Sequence, residues 1–361
     1  MTGARERVVV AMSGGVDSAV AAARCVAAGY DVVGLSLRLA RGGEGSCCSL
    51  DDFLDARAVA EQLGFPHYVF DFTDAFEARV VAPFVADYLA GRTPNPCTRC
   101  NQHVKFDLLW TRARELGATR LATGHYARIA SDPVSGRPVL RAARDSAKDQ
   151  SYFLFTLGTA ELAHTLFPVG ELTKDEVRAE ARRLGLAVAD KPESMDVCFV
   201  PGGDAAAFVA SRARPEELRA GTIVDDDTGS VVGTHDGVHR FTVGQRRGLG
   251  VAGGPRRYVR SIDATTGVVT IAAAHRLHAR GLRAHDVRWS TGVPPRLGTS
   301  VGVRIRHRHA LVSGRLTACD ATEAAITFDG DGPLVTPGQA AVFYDDDRVV
   351  GGGWIVGALA T

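Results

Sequence analysis

Lysine is scarce in this chain. Lysine and arginine together number 42, yet only Lys105, Lys148, Lys174 and Lys191 are lysines, so 42 − 4 = 38 are arginine. Against 41 acidic residues this leaves a formal net charge of +1. That balance excludes a protein held to a polyanion by bulk charge, and any nucleic-acid contact needs a local basic face. A lysine that survives among so many arginines marks a place suited to a compact ammonium rather than a planar fork. Long apolar runs are missing too. None approaches the length of a membrane span, and residues 8–12 are too short for the apolar core of a secretory leader. The expected compartment is therefore the cytosol. There the seven cysteines are expected to be thiols, catalytic groups or metal ligands rather than structural disulfides. Internal repeats, low-complexity stretches, a Gly-Lys-Ser/Thr loop and a G-x-G-x-x-G spacing are also absent.

What is present begins at Ser13-Gly14-Gly15-Val16-Asp17-Ser18, which follows the apolar run Val8 to Met12 and precedes an alanine-rich stretch stopped by Gly29. The pattern reads as strand, glycine loop, helix. Two glycines allow a ligand close to the backbone, and the first helical amides point at it, so the ligand is expected to be an anion such as a phosphate chain. The S-G-G-x-D-S pattern resembles the loop of the ATP pyrophosphatases, which split ATP between its α and β phosphates and leave AMP on an acceptor oxygen.

Residues 8–12, 31–39, 66–70 and 120–123 read as strands, and 19–28, 51–63, 75–89 and 106–116 as helices. This alternation predicts an α/β fold with a parallel sheet covered on both faces. Ligands of such sheets bind beyond the carboxyl ends of the strands, where Ser13, Gly124 and His125 fall. Ser49 with Asp52, and Thr173 with Glu176, have capping-box spacing. Residues 128–130 and 138–141 read as a hairpin turning at Ser135-Gly136, and 161–166 and 173–184 as helices. After about Pro201 the chain becomes strand-rich, and residues 289–354 suit a small barrel. The expected division is a nucleotide-binding catalytic domain at 1–200, a small central domain at 201–275 and a C-terminal β-barrel at 276–361. With 361 residues, two to three domains is the natural count.

The stretch Thr93-Pro94-Asn95-Pro96-Cys97-Thr98-Arg99-Cys100-Asn101 is expected to be a loop stiffened by two prolines. Its C-x-x-C spacing suits zinc, an iron–sulfur centre or a redox pair about equally, and no second C-x-x-C follows at finger-like distance. Cys198 sits among apolar neighbours, as does a buried core thiol. Cys25 and Cys319 fit ordinary core positions. Cys47-Cys48 precedes a helix, where a surface loop or a low-pKa pair would fit.

The phosphate loop, Asn95-Pro96 with Cys100-Asn101, Ala122-Thr123-Gly124-His125-Tyr126-Ala127-Arg128, Lys148-Asp149-Gln150-Ser151-Tyr152-Phe153-Leu154 and Cys198-Phe199 occur in one order. Together with Phe241 to Arg246 and Gly351-Gly352-Gly353, they resemble the tRNA-specific 2-thiouridylases over essentially the whole chain. The resemblance implies that Ala11, Met12, Ser13, Gly14, Gly15, Val16, Asp17 and Ser18 hold ATP, with Leu37 and Gly124 on the adenine side and Asp17 helping to hold magnesium. It implies Cys100 as the nucleophile and Cys198 as the persulfide carrier. Asn95, Pro96 and Cys97 would surround the target base. His125, Lys148, Asp149, Gln150, Arg306, His307 and Gln339 would touch tRNA. A persulfide donor, either a cysteine desulfurase or a relay protein, is implied as a partner, with no membrane association and a monomeric chain. Many members of the family have Asp where this chain has Cys97. The three thiols Cys97, Cys100 and Cys198 could instead hold an iron–sulfur cluster.

The chemistry agrees with this reading. The C2 oxygen of uracil leaves poorly until it is adenylated, and sulfur must then arrive as a nucleophile on a thiolate-bearing cysteine. Arg304, Arg306 and Arg308 alternate with Val301, Val303 and Ile305. One strand would thus present the arginines to phosphate and the apolar residues to a barrel core. Two other functions remain open from the residues alone. An ATP-dependent amide or guanidino synthetase acting on a small molecule would keep activity without Cys100 and Cys198. A non-catalytic RNA-binding module would consume no ATP.

Overall fold

A computed structural model describes residues 5–40, 49–133, 135–193, 197–251 and 255–359. The Cys47-Cys48 pair lies outside the described residues. The first strands are β1 (Arg7–Ala11), β2 (Asp31–Arg38), β3 (His67–Asp71) and β4 (Arg120–Thr123), followed by a hairpin of β5 (Ala127–Ser131) and β6 (Pro138–Ala142) and the two-residue β7 (Thr165–Leu166). One parallel sheet has the order β3-β2-β1-β4-β7. Val8, Val9 and Val10 of β1 are fully buried, as a strand covered on both faces requires. Chain order reverses between β1 and β4, and the crevice beyond their carboxyl ends is where a ligand fits such a sheet. Helix α1 (Val16–Ala27) follows β1, and α2 (Leu50–Leu63) follows β2. The expected capping boxes at Ser49/Asp52 and Thr173/Glu176 are both formed.

Two local expectations need correction. Residues 161–166 are not one helix: a helix covers Thr159–Ala163, and Thr165–Leu166 pairs with β4. The open edge of β4 offers ladder bonds in place of another half turn of helix. The stretch from Thr93 is not a loop throughout. Asn95 caps a helix at Pro96–Cys100, its Oδ1 accepting from the Thr98 amide at 3.3 Å, with Pro96 in the first position where a missing N–H costs nothing. The helix continues through a π-helical segment, Asn101–Leu108, to Glu115.

The rest is antiparallel-rich. β8 (Gly221–Asp225), β9 (Val231–His235), β10 (Tyr258–Asp263) and β11 (Val268–Ala272) form a four-stranded sheet. β12 (His278–Trp289), β13 (Ser300–Arg304), β14 (Val312–Cys319), β15 (Ala324–Pro333), β16 (Ala340–Asp345) and β17 (Arg348–Ala358) follow. Their order β12-β15-β14-β13-β16-β17, with β12 also pairing β17, closes a six-stranded antiparallel barrel. The β5–β6 hairpin is appended to it through Arg141 and Arg348. One apolar cluster runs from Val9, Leu35 and Leu121 of the sheet through Tyr152, Leu154 and Phe155 to Ala340, Val342 and Trp354 of the barrel. The barrel therefore shares a core with the parallel sheet. No helix among the described residues is long and apolar enough to cross a membrane.

Candidate functional site

The loop after β1 is shaped by close backbone packing. Gly14 has φ of +72°, and a Cβ there would meet the Asp52 carbonyl oxygen at 2.3 Å, so the start of α2 is pressed against the loop. A Cβ on Gly124 would lie 2.7 Å from the Asp17 carbonyl carbon and 2.7 Å from the Ser18 nitrogen. The end of β4 thus touches the first turn of α1, and only glycine allows it. Gly15 caps α1 without a side-chain hydrogen bond, which leaves early amides of this 12-residue helix available to an anion. Ser18 Oγ donates to the Gly15 carbonyl at 3.0 Å and accepts from the Ser13 amide at 3.2 Å, fixing the loop from within.

A cavity of about 240 Å³ opens here. Of the residues expected to hold ATP, Ala11, Met12, Ser13, Asp17, Ser18, Leu37 and Gly124 line it, while Gly14, Gly15 and Val16 do not. His125 and Gln150 line it as well. Sequence reasoning missed Leu35, Leu39 and Phe53, which add to the apolar wall, and Lys105. The rarity of lysine was the signal that could have found Lys105.

Behind the loop lies a chain of alternating charge. Lys174 Nζ donates to both Asp17 carboxylate oxygens, at 2.7 and 2.8 Å, and meets Glu193 at 2.8 Å. Tyr126 donates its hydroxyl to Asp17 at 2.7 Å, and Lys148 donates to Glu193 at 2.6 Å. Burial pulls the Glu193 carboxyl up, but the hydrogen bonds and charges of Lys148 and Lys174 outweigh it and hold the pKa at about 2. Lys191 binds Asp52 at 2.8 Å and also Asp55 on α2. Lys174 and Lys191 therefore tie the segment before Cys198 to the loop and its flanking helix, and Lys148 holds the same Glu193.

Cys100 is buried in the shared apolar cluster, against which Cys198 also packs, partly exposed. Phe199 stands edge-on to Phe76 and Phe84, with ring centroids 5.5 and 5.1 Å away, which anchors the Cys198 segment. Cys97 is exposed. Among the described residues no three His, Cys, Asp or Glu side chains are grouped closely enough to hold a metal ion. Cys100 is buried, Cys198 partly exposed and Cys97 exposed, so these three thiols are not gathered into a cluster site as they stand.

The residues expected to touch tRNA converge on the same region with differing roles. His125 is buried, its Nδ1 2.8 Å from Thr123 Oγ1; burial, and then the nearby Lys105 charge, push its pKa well down and keep it neutral. Asp149 is buried and accepts from the Ala143 amide at 3.0 Å, Ser151 Oγ at 2.9 Å and Arg304 Nη1 at 2.7 Å. Gln150 accepts from the Tyr126 amide at 2.9 Å. His307 Nε2 lies 3.3 Å from the Asp149 carbonyl and its ring 4.4 Å from that of Phe153. Gln339 donates to the Thr93 and Pro94 carbonyls at 3.0 and 3.3 Å, so it braces the chain entering Asn95 and Pro96. The expected arginine stripe is corrected. Val301, Val303 and Ile305 do face the core, but β13 ends at Arg304. Arg304 turns inward to Asp149, and Arg306 donates to the Val243 carbonyl at 3.1 Å and to Thr336. Arg308 has φ of +63°. Buried carboxylate and carbonyl partners outweigh the period-2 pattern. A second cavity, about 690 Å³, has Arg99, His103 and Arg288 in its wall. The helix from Pro96 thus presents Arg99 and His103 to one cavity and Lys105 to the other.

Known proteins resemble the chain along its whole length. The family model for the tRNA methyl transferase HUP domain matches residues 6–202, the tRNA methyl transferase PRC-barrel domain residues 207–273 and the aminomethyltransferase beta-barrel domain residues 279–355. The tRNA-specific 2-thiouridylase MnmA of Solibacter usitatus is 50% identical over 96% of this chain and 98% of its own. That of Geotalea uraniireducens is 48% identical over 99% and 96%. A solved 4-thiouridine synthetase–RNA complex with bound ATP aligns at a TM-score of 0.38 and 15% identity, over 57% of this chain and 50% of that one.

Proposed function

The chain belongs to the tRNA-specific 2-thiouridylase family, and on that premise we propose that it is an ATP-dependent tRNA-uridine 2-sulfurtransferase acting on the wobble uridine. The observation that carries the reading is structural continuity. One helix bears Cys100 and a wall residue of the nucleotide cavity, and Cys198 packs on the same apolar cluster as Cys100.

In the first step the uridine C2 oxygen attacks the α-phosphorus of ATP. The bond to the β-phosphate breaks, pyrophosphate leaves with the electron pair, and the N3 proton passes to water. The loop amides and Ser13 would hold the phosphates, and Leu35, Leu37, Leu39 and Phe53 the adenine. Asp17 lines the cavity and would hold magnesium with the triphosphate on releasing Lys174, which holds both its carboxylate oxygens in this structure. A bound ion would supply charge neutralisation there. In the second step the terminal sulfur of a Cys198 persulfide attacks C2 and AMP departs. The Cys100 thiolate then attacks the inner Cys198 sulfur. A Cys100–Cys198 disulfide forms, and the 2-thiouridine leaves with the electron pair of the broken S–S bond. In a second route Cys100 attacks the persulfide first, releasing sulfide as the nucleophile. Either way a dithiol reductant restores the cysteines, and a persulfide donor, a cysteine desulfurase or a relay protein, reloads Cys198. Asn95 and Pro96 would border the extruded base, with Cys97 exposed beside them. His125, Lys148, Gln150 and His307 would lie towards the RNA, with Asp149, Arg306 and Gln339 bracing that face. A monomer acting in the cytosol completes the reading.

Mass analysis of nucleosides from tRNA incubated with ATP, magnesium and a persulfide source, a cysteine desulfurase with free cysteine, tests it. Replacement of oxygen by sulfur on uridine, lost in Cys100→Ala, is the expected result. Unchanged uridine, or full thiolation by the Cys100→Ala chain, would overturn it.

A further inference from the structure

Of the four lysines, three are spent on carboxylates: Lys148 on Glu193, Lys174 on Asp17 and Glu193, Lys191 on Asp52 and Asp55. Lys105 differs. Among the described residues no carboxylate pairs with it, and it is the one lysine or arginine among those that line the nucleotide cavity. The acid of that wall, Asp17, is already matched by Lys174. The cavity therefore carries an uncompensated positive charge in addition to the partial charges of the loop amides, an arrangement that favours an anion.

The position of Lys105 narrows its task. It lies five residues after Cys100, and the segment Asn101–Leu108 is π-helical. Bonding from i to i+5 brings residues five apart close to register, whereas an α-helix would carry them well around its axis. Lys105 shares the cavity wall with His125 and Gln150. His125 is neutral there and supplies no competing charge. The loop amides would take the β- and γ-phosphates, while the reacting α-phosphorus must lie towards the side from which the uridine and Cys100 approach.

We propose that Lys105 is a catalytic residue of the adenylation step, its ammonium stabilising the charge that develops on the α-phosphoryl oxygens as the uridine oxygen attacks and pyrophosphate departs. This role rests on the thiouridylase reading above. The bond changes are those of that step, and no proton passes to or from Lys105. A compact ammonium suits a charge that appears at one point, which accounts for a lysine in a chain that otherwise uses arginine.

The experiment uses the full chain, magnesium-ATP and an unmodified tRNA transcript. Single-turnover pyrophosphate release is read beside ATP binding by equilibrium dialysis and thermal unfolding. Lys105→Met is expected to bind ATP within about tenfold of wild type while releasing pyrophosphate about 10²–10³-fold more slowly, the usual cost of one preorganised charge-stabilising group. Lys105→Arg, which keeps charge but not shape, is expected to stay at least about tenfold below wild type. Release by the Met variant within about threefold of wild type would overturn the proposal, as would the same result for the Arg variant should the Met variant not fold. A wild-type chain that releases no pyrophosphate with tRNA would overturn the functional reading itself. Active wild type with an indifferent Lys105→Met chain would overturn only the role of Lys105.

Discussion

Replacing Gly124 by alanine adds one methyl group where the end of β4 meets the first turn of α1. Its carbon would sit 2.7 Å from the Asp17 carbonyl carbon, 2.7 Å from the Ser18 nitrogen and 3.0 Å from the Asp17 carbonyl oxygen. Comfortable contact between carbons begins at roughly 3.5 Å, so the first turn of α1 must retreat by about 0.8 Å. The obstacles are backbone atoms, which cannot swing aside as a flexible side chain can. Overpacking of this kind costs about 1–3 kcal/mol in stability. The larger effect falls on function, because the displaced atoms belong to the phosphate loop, and a misplacement near 1 Å costs about 10²-fold in rate. Gly330→Ala, where a Cβ meets nothing within 4 Å, is the control. The assay is ATP-dependent pyrophosphate release with tRNA, read with the melting temperature. A Gly124→Ala chain with wild-type kcat/KM for ATP and unchanged melting would refute the claim that this contact sets the loop.

Three further outcomes follow from the same geometry. Lys174→Met leaves the Asp17 carboxylate without its ammonium and should lower stability by roughly 1–3 kcal/mol by denaturant unfolding, a range tempered by partial exposure of Asp17; no change would mean that the pair contributes nothing. Glu193 has a folded pKa of about 2 against an ordinary 4.5, so its contribution to stability is present above pH 4.5 and lost as pH falls towards 2. Glu193→Gln should flatten that part of the acid-unfolding profile, and a profile identical to wild type would contradict the assignment. Gln339→Ala removes the donor to the Thr93 and Pro94 carbonyls and should slow thiolation about tenfold with ATP binding intact; equal losses in both would point to a general folding defect.

Much of the strand, loop and helix around the cavity was legible in the sequence because its signals are local. An apolar run, two glycines and an alanine-rich stretch specify strand, loop and helix within about twenty residues, and Ser49 and Thr173 announce their helices through partners three residues away. What escaped depends on distant partners. Arg304 turns inward because Asp149, 155 residues earlier, is buried beside it. The need for glycine at position 124 comes from the backbone at Asp17 and Ser18. The helix at Pro96 could have been read, since Asn-Pro is a cap followed by a first-turn proline, but the same residues also suit a stiff loop. The π-helical segment that brings Lys105 towards Cys100 has no comparable signature in residue type.

Sulfur transfer by this chain requires Cys100 and Cys198 to act as partners beside the nucleotide. Peptide mapping by mass spectrometry, after one turnover of persulfide-loaded enzyme without added reductant, tests this directly. The expected product is a Cys100–Cys198 cross-linked peptide in amounts matching the thiolated tRNA. Thiolated tRNA formed while both cysteines remain reduced, or while either is joined to another residue, would contradict it.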